Sequence, residues 1–400
     1  MVQVSQSSSN VSSQRTVMRR RVCAPGCLRI CVVGTRGFPH VQGGIEAHCE
    51  NLYTLLAGQG HEVIVFARRQ YVKINQPYIY KRVRVVPLAC VKNKFLEAFL
   101  HTLTGIVAAV GYRPDILHIH AIGPSFFAPV ARLFGMKVVV TNHGPDYERQ
   151  KWGTAARAFL RLSELAGLVF SSQVIAISWG IKKRHKHFAF KTSVIPNGVS
   201  AADLDHDEDV IDKFGLKRQE YILSVGRFVP EKGFLDLINA FEVLQRSGRI
   251  ASSMNLVIVG KADHETAYSL LLEKRARANK NIILTGFLTG RALRQMYSHA
   301  GLFVLSSYHE GLSLALLEAL GYGISCVASD IEPNRVPELE PSRYYPVGSV
   351  PALAEKIAYY MAHGLTEGQK NTQISLIRER YDWELIAEAT LCVYRSLAPR

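Results

Sequence analysis

The sequence predicts an α/β protein made of two successive doubly wound domains that face a common cleft. Short apolar runs that suit buried strands alternate with helical patterns along most of the chain. This alternation starts twice, with a strand over residues 28–33 and again with a strand over residues 221–225. Each of these strands leads into a glycine-bearing loop and then a helix, as a nucleotide-binding unit does. Because open parallel sheets bind ligands at the carboxyl ends of their strands, two such sheets predict a cleft between them.

Length and composition agree with two domains of ordinary size. The chain has 400 residues, of which 48% are hydrophobic, enough for two full cores. Residues 1–27 are rich in Ser, Gln and Arg, and we predict that they form a disordered tail. The first Rossmann-like domain is expected over residues 28–197, completed by a C-terminal helix within residues 383–400 that returns to it. The second Rossmann-like domain is expected over residues 198–382.

Charge is distributed unevenly along the chain. Residues 1–200 hold 26 Lys and Arg against 8 Asp and Glu, whereas residues 201–400 hold 22 against 25. A basic first half indicates an anionic partner, and nucleic acid, an anionic membrane and a phosphorylated acceptor all fit. No apolar run approaches the ~20 residues that span a bilayer, and no secretion signal precedes the first strand, so we expect a cytoplasmic protein. The seven scattered cysteines argue against a disulfide framework.

The loop after the first strand carries four glycines. Gly34 and Gly37 come directly after the strand, and Gly43 and Gly44 precede the first helix. Paired glycines let the backbone approach a phosphate closely, because no Cβ intervenes. The Gly-x-Gly-x-x-Gly fingerprint of a dinucleotide site is absent, which argues against a Rossmann oxidoreductase. A tight turn with no ligand is the alternative interpretation.

The next elements place two histidines at strand ends. Further strands are predicted over residues 63–67, 83–87, 115–120, 137–141, 174–177 and 193–195, with helices over residues 95–110 and 124–134 and a third that runs through residue 165. One strand ends at His120, and the following one leads into Asn142, His143 and Gly144. Because these are successive parallel strands, both histidines should lie at the ligand-binding edge. The alternative is that they are ordinary core residues.

Two charged runs lie on either side of the boundary between the two halves. The basic run over residues 182–187 is predicted on a helix with Trp179, and either a solvated face or a membrane-surface contact would explain it. The acidic run over residues 203–209 is expected to be a solvated linker between the domains. Its Asp-x-Asp triplets resemble metal-binding patterns, but no strand precedes them to fix their geometry.

The second half repeats the strand, loop and helix pattern. Arg227 and Lys232 bracket the loop after the strand over residues 221–225, which places two fixed positive charges where a diphosphate could bind. Gly286, Phe287 and Leu288 follow a later strand and offer backbone groups and an aromatic face. The remaining strands are expected over residues 256–259, 282–284, 300–305 and 325–328, and helices over residues 289–299, 351–362 and 383–397.

The stretch from Glu310 to Glu318 lies where a buried strand passes into a helix. The N–H groups that follow Glu310 and Gly311 have no partner inside the helix and lie at the positive end of its dipole, so a phosphate fits there. Glu318 lies about two turns further along, roughly on the same face. The two carboxylates could therefore hold a sugar and a ribose. The alternative is a capped surface helix with two solvated glutamates.

Together these motifs resemble the retaining glycosyltransferases of the GT-B architecture. More closely, the chain is similar to the large bacterial family that includes mannosyl-, glucosyl- and rhamnosyltransferases of surface polysaccharides, over about residues 28–397. The motifs that carry the resemblance are Glu310-x7-Glu318, the loop Gly226-Arg227 to Glu231-Lys232-Gly233, Gly43-Gly44-x-Glu46 and the linker over residues 194–199. Residues 33–39 and 142–152 resemble a subgroup that builds exopolysaccharide or O-antigen repeats, rhamnosyltransferases among them.

The resemblance implies a role for each matching position. The donor diphosphate would be neutralised by two side chains and by backbone amides: Arg227, Lys232, Gly43, Gly44, Gly311 and Leu312. Glu318 would bind the donor ribose, and Glu310 the transferred sugar. His143 would lie beside the reacting sugar and its phosphate. The nucleobase would be flanked by Gly286, Phe287 and Leu288, and the acceptor would lie nearer to His120 and Asp146.

The implied function is transfer of a hexosyl or deoxyhexosyl group from a nucleotide sugar to a glycan or lipid-linked acceptor. Retention implies attack on the same face of the sugar, with the leaving phosphate taking the proton of the acceptor. Because Arg227 and Lys232 would do the work that a metal does elsewhere, no metal or other cofactor is expected. The basic first domain suggests the inner face of the plasma membrane and not nucleic acid. A basic nucleic-acid-binding protein and a non-catalytic glycosyltransferase-like subunit remain the alternatives.

Overall fold

The structure is a computed structural model that describes residues 26–91, 96–149, 152–200 and 202–398. All but the last two residues of the predicted tail lie outside this part of the chain. Two separate sheets organise what is described, and each takes its strands from one half of the chain. The exact domain limits stay a prediction.

Eight strands form the first sheet. They are β1 (Arg29–Val33), β2 (Glu62–Arg68), β3 (Tyr78–Tyr80), β4 (Val83–Leu88), β5 (Ile116–His120), β6 (Val138–Asn142), β7 (Gln173–Ala176) and β8 (Thr192–Val194). Their spatial order is β3-β4-β2-β1-β5-β6-β7-β8, and all neighbours are parallel except β3 and β4. The central strands β1, β5 and β6 are buried apart from Arg29, because helices cover both sides of the sheet.

Six parallel strands form the second sheet. They are β9 (Tyr221–Val225), β10 (Asn255–Val259), β11 (Ile282–Gly286), β12 (Leu302–Leu305), β13 (Cys326–Ser329) and β14 (Tyr344–Tyr345). The spatial order β11-β10-β9-β12-β13-β14 places β9 and β12 side by side at the centre. The loops after these two strands therefore lie next to each other.

The helices cover both faces of the two sheets. In the first half they are α1 (Gly44–Gly58), α2 (Leu96–Tyr112), α3 (Ala128–Leu133), α4 (Thr154–Phe170) and α5 (Trp179–Arg184). In the second half they are α6 (Asp209–Asp212), α7 (Phe234–Arg246), α8 (Ala267–Arg277), α9 (Gly290–Ser298), α10 (Leu314–Gly321), α11 (Val350–Ala362), α12 (Glu367–Tyr381) and α13 (Trp383–Arg395).

The C-terminal helix α13 returns to the first sheet, as predicted. Asp382 caps its start by accepting a hydrogen bond from the backbone N–H of Glu384. Trp383, Leu391 and Tyr394 are buried in the same apolar cluster as Leu52 of α1 and the strands β1 and β2. The second half of the chain therefore ends inside the core of the first. The two parallel α/β sheets and this returning helix confirm the predicted fold class.

The basic run does not form the single helix that the sequence predicts. Helix α5 ends at Arg184, and a 3-10 turn over Lys186–Lys191 replaces its continuation. Ile181 is the buried residue of α5, so the segment has no apolar stripe to hold a longer helix against the sheet.

The acidic run is largely exposed, as the sequence predicts, but it also forms ion pairs with α9 that the prediction did not include. Arg291 of α9 pairs with Asp205 at 3.0 Å and with Asp209 at 2.7 Å, and Arg294 pairs with Asp203 at 2.5 Å. The alternating acids therefore dock the segment onto α9. The spacing of these aspartates suits pairing with Arg291 and Arg294, which accounts for the pattern that resembles a metal-binding motif.

Candidate active site

The loops after β9 and β12 bring together two residues that the sequence singled out. Nζ of Lys232 lies 2.5 Å from Oε1 of Glu310, which also accepts a hydrogen bond of 2.6 Å from Ser307. Burial raises the pKa of the Glu310 carboxyl, but the charge and hydrogen bond of Lys232 outweigh burial, and the pKa is lowered overall. Glu310 is therefore an anion, held beside a fixed cation at the carboxyl end of the second sheet.

A second network of ion pairs crosses from one sheet to the other. Asp263, in the loop after β10, lies 3.0 Å from Arg227 and also 3.0 Å from Arg36, in the loop after β1. Arg36 pairs in turn with Glu46 of α1 at 3.2 Å. Burial raises the pKa of Asp263, but the two arginines outweigh it and lower the pKa overall. Cations from both halves of the chain thus meet at one gap between the sheets.

Arg36 and Asp263 are site residues that the sequence did not single out. Arg36 lies between Gly34 and Gly37, directly after the first strand. That position in the glycine-bearing loop is the only sequence feature that could have indicated it as a site residue. Asp263 follows Gly260, which comes directly after β10. Like Arg227, Arg36 and Asp263 are charged residues in loops that follow the carboxyl ends of strands, where α/β sheets bind ligands.

Two helix N-termini face the same gap. Gly43 precedes α1 and Gly44 begins it, and a Cβ built on Gly44 would lie 3.9 Å from Cδ1 of Leu314, the first residue of α10. A Cβ on Gly43 would lie 2.0 Å from Oε2 of Glu46, and its φ of 153° is one that other residues rarely adopt, so glycine is favoured there. Since each helix start presents free N–H groups and the positive end of its dipole, an anion between them would be contacted from both domains.

The two halves of the chain touch closely at a pair of glycines. A Cβ on Gly311 would lie 1.9 Å from the carbonyl oxygen of His143, and a Cβ on Gly144 would lie 3.0 Å from Cα of Gly311. The backbone carbonyl of Leu312 accepts a hydrogen bond of 3.1 Å from the side chain of Asn197, in the loop after β8. The loop after β6 and the loop after β12 therefore lie against each other, with His143 at the contact.

The two predicted histidines are hydrogen-bonded neighbours. Nδ1 of His120, at the end of β5, lies 3.0 Å from Nε2 of His143, just after β6. Both are neutral at physiological pH, because burial lowers the pKa of His143 to about 3 and that of His120 well below its ordinary value. His120 is fully buried, and its Nε2 is bonded to Tyr53. A direct contact between His120 and an acceptor would require one of these bonds to break.

Other histidines, which the sequence did not single out, extend this cluster into the core. His118 lies two residues before His120 on β5, and its ring stacks on the His120 ring with centroids 4.2 Å apart. His48 of α1 packs edge-on against His143 at 5.2 Å and against Trp383 at 5.5 Å. The sequence indicated only the last histidine of the strand, although the two-residue spacing places His118 and His120 on one face.

The other residues predicted to bind the sugar donor are Glu318, on α10, and Gly286, Phe287 and Leu288, at and after the end of β11. Oε2 of Glu318 accepts a hydrogen bond of 2.8 Å from Tyr297 of α9, and burial raises the pKa of this carboxyl to about 7. Gly286 ends β11 with φ of 75°, a left-handed conformation that favours glycine. Phe287 lies under the ammonium group of Lys261, 5.9 Å away, and Leu288 packs against the second core. Lys261, in the loop after β10, reaches the first half of the chain, because its backbone carbonyl accepts a hydrogen bond from the Gln42 side chain.

Asp146 lies in a short 3-10 turn beyond His143. Its carboxylate pairs with Arg149 at 2.7 Å and is half-buried. Asp146 and Arg149 both act electrostatically on His309, the residue before Glu310. The structure thus places Asp146 at the rim of the same gap, on the side of the first sheet.

Neither a metal cluster nor a membrane-crossing helix is found in the described part of the chain. No group of three or more His, Cys, Asp or Glu side chains in ranges 26–91, 96–149, 152–200 and 202–398 could hold a metal ion. Within the same ranges, none of the helices has the length and apolarity that a bilayer crossing requires.

Two family models match successive parts of the chain. The model described as Glycosyltransferase Family 4 matches residues 42–203, and the model described as Glycosyl transferases group 1 matches residues 207–373. The first match contains α1 and the histidines, and the second contains Arg227, Lys232, Glu310 and Glu318. The matched segments therefore contain all the loops described above as bordering the gap, apart from the loop after β1, which starts before residue 42.

Curated relatives are similar to this chain over about half of it or more. An uncharacterized glycosyltransferase from Methanocaldococcus jannaschii is 25% identical over 92% of this chain and 98% of its own length. One component of the human phosphatidylinositol N-acetylglucosaminyltransferase is 25% identical over 93% of this chain and 77% of its own. The UDP-Gal:alpha-D-GlcNAc-diphosphoundecaprenol alpha-1,3-galactosyltransferase from Escherichia coli is 29% identical over 55% of this chain and 59% of its own.

Solved structures share the fold. The sucrose-phosphate synthase from Thermosynechococcus elongatus superposes with a TM-score of 0.78 at 20% identity, over 92% of this chain and 99% of its own. HepE from Anabaena, solved with UDP and glucose, superposes with a TM-score of 0.72 at 16% identity, over 92% of this chain and 100% of its own. With its paired α/β sheets, returning helix and matching family models, the chain belongs to the group 1, family 4 glycosyltransferases and has the GT-B fold.

Proposed function

We propose that this glycosyltransferase moves a hexosyl or deoxyhexosyl group, with retention, from a nucleotide sugar to a glycan or lipid-linked acceptor in surface polysaccharide synthesis. One observation carries the proposal: Lys232, Arg227 and Glu310 converge with the starts of α1 and α10 on a single gap between the sheets. Such an arrangement suits a substrate with an anionic diphosphate at one end and hydroxyl groups at the other.

The diphosphate is the leaving group, so the cations would act on the charge that develops during reaction. Cleavage of the bond between sugar and phosphate builds negative charge on the phosphate and positive charge on the sugar ring. Arg227, Lys232 and the amides at both helix starts are fixed before reaction, so they stabilise this charge without rearranging. Loss of one such donor typically costs ~3–4 kcal/mol of transition-state stabilisation.

The sugar would lie between Glu310 and His143. An ionised carboxylate only accepts hydrogen bonds, which suits the hydroxyl groups of a hexose. The negative charge of Glu310 also lies on the side where the sugar ring becomes positive. In a same-face mechanism the leaving phosphate takes the proton of the acceptor hydroxyl, so no enzymic nucleophile is needed.

The nucleoside would extend towards α10 and the loop after β11. Glu318 would receive the ribose hydroxyls, and Gly286, Phe287 and Leu288 would lie beside the base. HepE, which shares the fold, was solved with UDP and glucose, and the E. coli relative is named for UDP-galactose. Uridine sugars are therefore the first donors to test, and the resemblance of residues 142–152 adds deoxyhexoses such as rhamnose.

The acceptor would be presented at a membrane surface. The names of two relatives contain lipids, phosphatidylinositol and diphosphoundecaprenol. The first domain of this chain carries the positive charge, with eight Lys or Arg and one acidic residue in residues 151–200. Attraction to anionic lipid is worth about 1 kcal/mol per basic residue near the surface. We propose a peripheral position on the cytoplasmic face of the membrane.

Donor turnover tests the proposal directly. We expect the wild-type protein to hydrolyse or transfer from one member of a panel of nucleotide sugars. Lys232→Ala should lower kcat by about 10²- to 10³-fold, because it removes a cation from the leaving group, and Glu310→Gln should lower it by a similar factor. Lys274→Ala, an exposed change on α8, is the matched control and should leave turnover unchanged. Full activity in both site variants would refute the assignment.

A further inference from the structure

The carboxylate of Asp263 holds one arginine from each half of the chain through a single oxygen. Its Oδ2 lies 3.0 Å from Nη1 of Arg227 and also 3.0 Å from Nη1 of Arg36. Carboxylate and phosphate oxygens are both anionic acceptors, and both form the same charge-assisted bonds with guanidinium groups. The position of this carboxylate oxygen, between two converging arginines, therefore also suits an oxygen of a phosphate group.

Arg36 is fixed so that one of its nitrogens faces Asp263. Its Nε lies 3.2 Å from Oε1 of Glu46, and its Nη2 lies 3.2 Å from Oε2 of the same carboxylate. Nη2 also donates to the backbone carbonyl of Gln42. Arg36 and Glu46 are both buried, so the guanidinium cannot turn without breaking these bonds. Nη1 is the nitrogen that remains for an anion at the gap.

The two arginines lie next to the groups that we propose for the donor diphosphate. A Cβ built on Gly43, which precedes α1, would lie 2.6 Å from Nη2 of Arg36, so this guanidinium lies beside the start of that helix. A Cβ built on Gly226, the residue before Arg227, would lie 3.3 Å from Cε of Lys232. Both arginines therefore border the part of the gap in which the proposed diphosphate lies.

Asp263 and a diphosphate would compete for the same N–H groups. A nitrogen that donates to Asp263 is not free for a phosphate oxygen, and two anions at such a distance repel each other. The two arginines together with Glu46 and Asp263 carry no net charge, so this cluster attracts a diphosphate only weakly while Asp263 stays in place. The side chain of Asp263 is 22% exposed and the following residues 264–266 are exposed, so it has room to turn into solvent.

We propose that Arg36 is a further diphosphate-binding residue of the donor site, and that the donor takes the place of Asp263 between Arg36 and Arg227. Asp263 is then a displaceable anion, which keeps the two guanidinium groups directed at one point and leaves that point when the diphosphate arrives. The inference rests on the proposed function, because it assumes that a diphosphate binds in the gap.

The affinity for inorganic pyrophosphate separates this role of Asp263 from a purely structural one. Asp263→Asn keeps the size of the side chain and removes its charge. If Asp263 competes with the diphosphate, isothermal titration calorimetry should show that the variant binds pyrophosphate about tenfold more tightly than the wild type. If Asp263 is instead needed to hold Arg227 in place, the variant should bind pyrophosphate more weakly. Equal or weaker binding would overturn the proposal.

The role of Arg36 requires a variant that leaves no buried charge unpaired. Arg36→Gln combined with Glu46→Gln removes both members of the buried pair. Added to Asp263→Asn, this double change should undo most of the gain in affinity, because the nitrogen that faces the diphosphate is lost. Arg36→Lys in the Asp263→Asn protein is a milder second variant, which keeps the charge but cannot reproduce the fork of the guanidinium group. A gain that persists in both would show that Arg36 does not bind the diphosphate.

Two further variants separate a failure of this inference from a failure of the proposed function. Glu265→Gln removes the same charge at an exposed position of the same loop and should change the affinity less than twofold. A gain equal to that of Asp263→Asn would overturn the competition, because net charge alone would then explain it. Lys232→Ala should weaken pyrophosphate binding, as the proposed function requires. If neither the wild type nor Asp263→Asn binds pyrophosphate, the diphosphate site itself is rejected, whereas wild-type binding that Asp263→Asn does not tighten rejects this inference alone.

Discussion

Glu318 is a carboxyl group whose burial has a cost in stability. It lies on α10, and burial raises its pKa from 4.5 to about 7 despite the hydrogen bond from Tyr297. Because its pKa is higher in the folded than in the unfolded chain, the folded state binds the proton more tightly between pH 4.5 and pH 7. Stability therefore falls as the pH rises through this window and levels off above it.

Replacing Glu318 by Gln should remove this penalty. A pKa difference of this size corresponds to about 3 kcal/mol, so we expect Glu318→Gln to stabilise the protein by about that amount at pH 8 and by little at pH 4.5. Chemical denaturation at both pH values measures the effect, and Glu379→Gln, at an exposed position of α12, is the control. Equal effects at the two pH values would contradict the buried, protonated carboxyl.

The single residues of the site differ in how far sequence could predict them. Lys232 and Glu310 were predictable, because each follows a buried strand in a loop that parallel-sheet geometry places at the ligand edge. Tyr53 and Tyr394 were not, since their partner His118 is far from both along the chain and only the packing of α1 and α13 brings the three together. A pattern read within one element carries no information on such contacts.

Among the elements, α4 has an apolar face that no other part of the described structure covers fully. Leu162, Leu165 and Val169 recur at helical spacing and are 54%, 48% and 46% exposed. Phe190, at 84% exposure, lies beside the end of this helix, because the neighbouring Lys191 donates hydrogen bonds to the carbonyl groups of Val169 and Ser171. An apolar face among basic residues fits the surface of an anionic bilayer.

We therefore expect α4 to mediate binding to vesicles. Leu162→Glu should weaken sedimentation with vesicles that contain anionic lipid by about tenfold, because it removes buried apolar area and adds a repelled charge. Val243→Glu, an exposed change on α7 of the second half, is the matched control and should bind like the wild type. Higher salt should weaken binding of both. Equal binding of the two variants would exclude α4 as the membrane surface.

Helices and strands were predicted well where the apolar residues follow a single helical or strand spacing. The strand over residues 221–225 has the predicted limits, since it is apolar and ends at a glycine loop. β3 and α12 were absent from the prediction: β3 is three residues long, and α12 is largely polar although Thr366 and Gln369 form a capping box at its start. Helix α5 is short because little of it packs against the sheet. Its basic sequence gives no sign of where the helix should end.

On the scale of the whole molecule, the two halves contact each other through backbone atoms as well as through ion pairs. Asp263 joins Arg36 and Arg227 across the gap, and Gly311 lies against the carbonyl group of His143 with no room for a side chain. Arg36 is buried and Asp263 is mostly buried, so loss of either partner would leave a poorly solvated charge. The glycine contact is steric, and it therefore fixes how closely Glu310 and His143 approach each other.

A methyl group at Gly311 should separate the two halves without unfolding either. Its Cβ would lie 1.9 Å from the His143 oxygen, so the loops after β6 and β12 must move apart. Because a displacement of about 1 Å can cost 10²-fold in rate, we expect Gly311→Ala to lower kcat/KM for the donor by about that factor or more. Small-angle scattering should show a larger radius of gyration, while the unfolding transition stays cooperative. Gly364→Ala, where a Cβ meets nothing within 4 Å, is the control. Wild-type turnover and an unchanged radius in Gly311→Ala would show that the close approach is not needed for catalysis.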